Sequence, residues 1–347
     1  MVKDANQLRS NPIGAASSNG AGIRAAPRGS VGFIGLGRMG TVMAANLVAT
    51  GYPVIAYLRR PDRFAELKAL GLEPTVTMAD LFGCEFIVSM LPDDDAVREI
   101  VFGRKDLGIQ GVAAGLLPGA IHLSMSTIST AAAAHLASEH ARHGQGYVAA
   151  PVFGNPDAAK ARQLFVVAAG ADADIERCRL LLDSLGQRTF VVSTNPEHAN
   201  LVKLLGNMMT ATALEMLGEV VAVSLKRGLD PKTFVDVLTN TMFDGRAHKL
   251  YGAKIVKRNY APGFVLPLVL KDVRLALGEA ERAGAPMPSV SVVRDRLITG
   301  IARGHADLDW TALGLIAAEE AALTLAVPPA SSGDRHPDGP APSAPPN

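Results

Sequence analysis

Lys203 and Asn207 stand four residues apart in an otherwise apolar run, LVKLLGNMM. A helix would place them on one face, one turn above the other. Lysine is seldom buried without a reason, because leaving water disfavours its charged form and pulls its pKa toward neutrality. Such an ammonium suits general acid–base chemistry: it can protonate an oxygen that gathers negative charge as a carbonyl carbon is reduced, and recover the proton in the reverse direction. Asn207 can hold the lysine and that oxygen in register. The same spacing also fits a lysine that reaches solvent beside an incidental asparagine.

A partner for this chemistry is written near the other end of the chain, where VGFIGLGRMGTVMAANLVATGYPVIAYLRR begins at Val31. A short apolar strand runs into Gly35-Leu36-Gly37-Arg38-Met39-Gly40, then an amphipathic helix, a stop at Gly51 and a second strand. That order is the first βαβ unit of a dinucleotide-binding fold. The glycines permit a tight turn, let backbone approach the pyrophosphate and let helix pack closely on strand. Phosphates would sit at the positive end of the helix, where free N–H groups point at them. The second strand ends in Tyr57-Leu58-Arg59-Arg60 and has no acid before Asp62, whereas sites for NAD usually offer an Asp or Glu to the ribose 2′-hydroxyl. A guanidinium can grip a 2′-phosphate through two parallel hydrogen bonds. The expected cofactor is therefore NADPH/NADP rather than NAD, with Arg59 the leading ligand and Arg60 the second; Arg60 pointing into solvent is the alternative.

The elements that must carry these residues follow from pattern. After the first two strands, β-type runs fall at residues 85–91 (EFIVSML), 120–125 (AIHLSM), 147–150, 164–168 (LFVVA) and 189–192 (TFVV), separated by helical stretches. Alternation of this kind implies parallel βαβ connections and a doubly wound α/β sheet. A cofactor on such a sheet lies along the carboxyl ends of the strands, which places Leu91 and Pro92, just past the third strand, and Ser126 and Thr127, just past the fourth, at the crevice. From Asn195 the pattern is helical only. Asn195-Pro196-Glu197 reads as an N-cap, a proline at the first helical position and an acid in the first turn. The helix is expected to run over 195–227, about 48 Å, and to stop at Gly228. Further helices fit a restart at Asp230-Pro231 and residues 267–283, 288–303 and 309–325. The expected organisation is a tail at 1–28, a nucleotide-binding domain at 29–194, a helical substrate and dimerisation domain at 195–327, and a Pro-rich tail at 328–347.

Composition bounds the rest. The chain has 347 residues, 48% apolar and 19% charged, with a formal net charge of +1. That is ordinary for a soluble enzyme with two domains and a sizeable core; it argues against a nucleic-acid surface, which shows a basic excess. Apolar runs fall short of the ~18 residues that span a bilayer, the longest being broken by Glu215 and Glu219, so no membrane partner is expected. Cys84 and Cys178 fit no metal spacing and are expected to be buried free thiols of a reducing, cytoplasmic setting. The first 28 and last twenty residues have the composition of disordered tails, and no apolar stretch of a secretory signal precedes the fold. The histidines show no ligand spacing, and Asp93-Asp94-Asp95 reads as a solvated loop or helix start, so no metal is expected.

Taken together, GFIGLGRMGTVMAANL, MLPDDDAV, SMSTIS, APVFGNPDAA, VKLLGNMM and FVLPLVLKDVRLAL resemble, in order and spacing, the motifs of the β-hydroxyacid dehydrogenase family, from residue 31 to about 325. That family includes 3-hydroxyisobutyrate dehydrogenases, tartronate semialdehyde reductases and glyoxylate/succinic semialdehyde reductases. The resemblance implies a Rossmann domain followed by an all-helical domain of the 6-phosphogluconate dehydrogenase type, joined by a long helix. It also implies a homodimer and a site between the domains. By the same resemblance Lys203 is the catalytic lysine and Asn207 its partner; Thr127 lies near nicotinamide and substrate; Leu91 and Pro92 line the cofactor; Lys271 reaches it from the helical domain; Phe264 and Asp272 close the substrate pocket.

One departure bears on substrate. Relatives usually carry Asp-Ala-Pro-Val-Ser-Gly-Gly where this chain has Ala149-Ala150-Pro151-Val152-Phe153-Gly154-Asn155. In the family the serine hydroxyl and adjacent backbone hold a substrate carboxylate, so Phe153, Gly154 and Asn155 are substrate-site residues here, and Phe153 brings no hydroxyl. A lost hydrogen bond to a charged group costs about 1.5–3 kcal/mol. A second departure replaces the usual glycines before the lysine with Pro196, Glu197 and Ala199. The expected activity is NADPH-dependent hydride transfer to a small-molecule semialdehyde or oxo acid, or from the matching hydroxy acid, with Lys203 as general acid. The alternatives are C=N reduction, as in the related imine reductases, and a catalytically silent NADPH-binding scaffold.

Overall fold

The computed structural model describes residues 29–324. The expected tails at 1–28 and 328–347, and the last position of the 309–325 helix, lie outside them. Strands β1 (Val31–Ile34), β2 (Val54–Tyr57), β3 (Glu73–Thr75), β4 (Phe86–Ser89), β7 (Ile121–Ser124), β8 (Gly146–Ala149), β9 (Val152–Phe153), β10 (Leu164–Ala169) and β11 (Gly186–Ser193) form one nine-stranded sheet, and β5 (Gly103–Arg104) and β6 (Ile109–Gln110) a separate hairpin. The sheet order is β11-β10-β8-β7-β4-β1-β2-β3, with β9 against β10. β1, β4 and β7 are buried along their whole length, because helices α1 (Arg38–Ala49), α2 (Phe64–Ala69), α3 (Asp94–Phe102), α4 (Val112–Gly115), α5 (Thr130–Arg142), α6 (Pro156–Lys160) and α7 (Asp172–Leu185) cover its faces. Continuous apolar strands of this kind belong to parallel sheets packed on both sides. The chain order reverses between β1 and β4, the switch point where ligands of doubly wound sheets bind.

The sheet is not parallel throughout. β8 meets β10 antiparallel at Ala149↔Ala169, and β9 runs antiparallel to β10 with Val152↔Val166 and Phe153↔Phe165. The expectation of uniform βαβ connections fails here because Pro151 and the five-residue α6 leave too little chain for a crossover, so β9 folds back on β10.

The helical half is built on α8 (Glu197–Lys226), 30 residues and about 45 Å long. Pro196 already has helical dihedrals and no side chain caps the start, so Asn195 is not the N-cap expected of it. Around α8 pack α9 (Pro231–Thr239), α10 (Arg246–Val256), α11 (Leu266–Arg282), α12 (Pro288–Ala302) and α13 (Leu313–Glu320). The 309–325 segment is a 3-10 turn, Trp310–Ala312, capped by Asp309 and followed by α13. By length and composition alone α8 could cross a membrane, with an 18-residue window of mean hydropathy 1.4, against the expectation that no stretch would qualify. Half of that window is buried in the protein, where Leu204, Met208, Ala211, Leu214 and Leu217 join the core of the helical half. Cys84 and Cys178 are buried and unpaired.

Candidate active site

The loop after β1 is shaped by what lies against it. Gly35 has φ +94° and sits so near the backbone after β4 that a Cβ would lie 2.2 Å from the Met90 carbonyl oxygen; a Cβ on Gly40 would lie 1.9 Å from that of Gly35. Only glycine fits either place. Around Gly37 there is nothing within 4 Å of such a Cβ, and Gly37 starts α1 with no side chain capping its N–H groups. An open cradle of unspent N–H donors at the end of a 12-residue helix fits a pyrophosphate. Leu36 is buried and its carbonyl accepts from Thr41 Oγ1 at 2.8 Å and from Arg63 Nη1 at 2.5 Å. Met39 packs on the sheet core, and Arg38 reaches across to the Pro262 carbonyl in the helical half.

At the far side of the crevice, the Leu91 N–H donates to Ser126 Oγ at 2.8 Å, fixing the turn after β4 to the turn after β7; Pro92 beside it is exposed. Two ties join that second turn to the helical half. Lys271 Nζ donates to the Thr127 carbonyl at 2.5 Å, and Asn200 Oδ1 accepts from the Ile128 N–H at 3.2 Å. The turns after β4 and β7 are thus fixed to each other and to α8 and α11, and the loop after β1 touches the helical half through Arg38.

On α8, one turn after Asn200, Lys203 is buried and donates from Nζ to Asn207 Oδ1 at 2.8 Å. Asn207 Nδ2 in turn donates to Asp272 Oδ2 at 2.6 Å, and Asp272 Oδ1 lies 3.0 Å from Lys271 Nζ. The chain Lys203–Asn207–Asp272–Lys271 thus spans α8 and α11 and ends on the Thr127 carbonyl. Burial pulls the Lys203 pKa down to about 8, with Asp272 opposing and Lys271 adding to the fall. Above the ammonium lies the Phe153 ring, its centroid 4.4 Å from Nζ.

The other expected site residues make contacts of their own. Asp272 is 1% exposed and gives the buried Asn207 amide its acceptor. Asn155 spends its Oδ1 on the Ala158 N–H at 2.9 Å as the cap of α6, so of the Phe153-Gly154-Asn155 run it is Phe153 that meets the lysine. Phe264 packs edge-on against Trp310 at 5.2 Å, in the helical core. Arg59 is exposed and 3.3 Å from Glu99, and Arg60 is exposed beside it. Asp93 caps α3 through the Ala96 N–H, while Asp94 accepts from the Ser129 N–H at 2.8 Å and its hydroxyl at 2.5 Å. Sequence reasoning missed Asn200 and Arg63. Asn200 lies one turn before Lys203, a third polar residue on the same face, and that spacing was the available signal; Arg63 under the glycine loop gave none.

A glycine cradle at the switch point of a doubly wound sheet, followed by a helical domain that carries a buried lysine, points to a nicotinamide-dependent oxidoreductase. Comparison with known proteins agrees. A profile for the NAD binding domain of 6-phosphogluconate dehydrogenase matches residues 30–193, and one for the NAD-binding region of NADP-dependent 3-hydroxyisobutyrate dehydrogenase matches residues 198–315. The chain is 35% identical over 285 residues to an uncharacterised oxidoreductase of Bacillus subtilis, covering 82% of this chain and 98% of that one. It is 30% identical to the 2-hydroxy-3-oxopropionate reductase of Escherichia coli, covering 82% and 95%. Among solved structures, the 3-hydroxyisobutyrate dehydrogenase of Mycobacterium tuberculosis, determined with L-serine, superposes with a TM-score of 0.74 at 25% identity over 83% of this chain and 98% of that one. The chain belongs to the β-hydroxyacid dehydrogenase family.

Proposed function

We propose that this enzyme is an NADPH-dependent carbonyl reductase in which Lys203 is the general acid. The observation that carries the reading is the buried Lys203–Asn207 pair, 2.8 Å apart, on a helix tied through Asn200 to the turn after β7. Gly35–Gly40 would hold the pyrophosphate, Arg59 and Arg60 a 2′-phosphate, and Leu91, Pro92, Thr127 and Lys271 the nicotinamide end. A bound reduced nicotinamide supplies the hydride. The protein's part is to place a carbonyl oxygen against Lys203 Nζ and to protonate it as charge develops. Asn207 keeps the ammonium aimed by accepting one of its N–H groups, and Asp272 fixes which way the amide points, since an acceptor at Nδ2 leaves Oδ1 for the lysine. A lysine whose pKa lies near 8 is mostly charged at neutral pH yet gives up its proton readily.

The test is NADPH oxidation over a panel of aldehydes, oxo acids and cyclic imines, on wild type and Lys203→Ala. Carbonyl reduction is expected to fall by about 10²–10⁴-fold in the variant, with NADPH affinity retained. The wild-type rate should decline above pH 8 as Nζ loses its proton, while alcohol oxidation should rise over the same range. A preference for cyclic imines that survives Lys203→Ala would assign the enzyme to C=N reduction instead, and tight NADPH binding with no turnover of any compound would assign it a scaffold role.

A further inference from the structure

Phe153 occupies a site prepared for it. Strand pairing with β10 pins its backbone opposite Phe165, and its ring enters a notch on α8 at Gly206. A Cβ on Gly206 would come within 2.5 Å of the ring Cζ, so any larger residue there would evict it. Lys203, Gly206 and Asn207 lie at successive i, i+3 and i+4 positions, one helix face, and the ring therefore lies on the very turn that carries the lysine. With its centroid 4.4 Å from Nζ, it is within cation–π range, where the negative face of the ring favours the ammonium and disfavours an anion.

Most donors around this point are already committed, Asn200 Nδ2 being a buried one without a hydrogen-bond partner among the described residues. An ammonium has three N–H groups; one goes to Asn207 Oδ1 and one side of the group is covered by the ring, leaving one direction for the carbonyl oxygen. Lys271 is held by the Thr127 carbonyl and Asp272. Asn155, two residues after Phe153, is spent on α6. A carboxylate on the Phe153 side of the reacting carbon would lose its water to a π-face rather than to a hydrogen-bond donor.

We infer that Phe153 is the specificity-determining wall of the lysine pocket, and that the carbonyl compound taken there bears an apolar substituent, aromatic or branched alkyl, next to the reacting carbon. This rests on the carbonyl-reductase reading and narrows its substrate class. The ring also stabilises the Lys203 ammonium against its burial.

The experiment compares kcat/KM for phenylacetaldehyde and cyclohexanecarbaldehyde with that for glyoxylate and succinic semialdehyde in wild type, Phe153→Ser and Phe153→Leu. NADPH affinity is followed by fluorescence, and the Lys203 pKa by NMR of 13Cε-labelled lysine. Wild type is expected to favour the apolar pair at least tenfold, and Phe153→Ser to lose at least tenfold of that ratio at unchanged NADPH affinity. Phe153→Leu, which keeps bulk and loses the π-face, should keep the ratio while the Lys203 pKa falls. Equal or better wild-type turnover of the carboxylate-bearing aldehydes overturns the inference, as does an unchanged ratio in Phe153→Ser or an unmoved lysine pKa in Phe153→Leu. Those outcomes leave the reductase reading standing; wild type that turns over none of the four, with NADPH bound, overturns that reading instead.

Discussion

Arg59, two residues past the end of β2, has its guanidinium exposed and paired to Glu99 at 3.3 Å. An exposed pair of this kind is worth at most about 1 kcal/mol, so the guanidinium can leave Glu99 for a 2′-phosphate at little cost. A bidentate phosphate contact is stronger than what it replaces. Arg59→Ala is therefore expected to raise the KM for NADPH about tenfold and leave that for NADH within twofold, measured side by side; an unchanged ratio would remove Arg59 from the cofactor site. At this scale the sequence was legible wherever function lay in local spacing. Lys203 and Asn207 stand out as polar residues at i and i+4 in an apolar run. Asp272 does not, because its meaning comes from Asn207, 65 residues away in sequence, and on α11 it reads only as an amphipathic-helix charge. Asn155 was legible in a way the reading passed over: Asn-Pro before a helix is a capping signature, and capping is what its side chain does.

The element that organises the molecule is α8, which starts two residues later than its sequence boundary and stops at the glycine that marked its end. Its apolar spacing and flanking Pro196 and Gly228 made it readable. α10 was not, because Arg246–Val256 mixes charges with small residues and buries only Gly252 and Ile255 fully, so no periodic stripe shows. Nor was the crossing of α8 with α13, which depends on two glycines 96 positions apart in the chain, Gly218 and Gly314. A Cβ on Gly218 would sit 2.8 Å from the Gly314 Cα, and one on Gly314 would sit 2.8 Å from Ile255 Cγ2. Backbone cannot yield there as a side-chain tip could. Gly218→Val is expected to destabilise the protein by about 3 kcal/mol or more, although valine is intrinsically the better helix former of the two. A shift in the urea midpoint reports it, and a shift under 1 kcal/mol would mean that the two helices can separate freely.

For the whole molecule, two buried polar clusters act in opposite directions on stability between pH 5 and 6. In the sheet half, Gln145 Nε2 donates to the carbonyls of Ala113 and Leu116 at 2.9 and 2.8 Å, so its Oε1 accepts from His140 Nδ1 at 2.7 Å. His140 Nε2 then accepts from His122 Nδ1 at 2.9 Å, and His122 Nε2 accepts from the Ser89 hydroxyl at 2.8 Å. With both rings neutral, every N–H and O–H along this chain meets an acceptor. Burial drives the His140 pKa down to about 4 and that of His122 well below its usual value. In the helical half, Glu215 keeps one oxygen 2.9 Å from Arg296 Nε and buries the other without a partner among the described residues, and burial lifts its pKa to about 7. Between pH 5 and 6 the unfolded chain holds protons on both histidines that the native state excludes, and the native state holds one on Glu215 that the unfolded chain has lost. Unfolding therefore takes up a net of about one proton from these groups, and stability falls as pH falls, by about 1.4 kcal/mol per unit. Glu215→Gln removes the opposing proton and should steepen the fall to about 2.7 kcal/mol per unit. Urea unfolding at pH 5 and pH 6 measures both slopes; the carboxylates common to the two proteins cancel in the comparison. Equal slopes would show that Glu215 is ionised in the native state throughout this range.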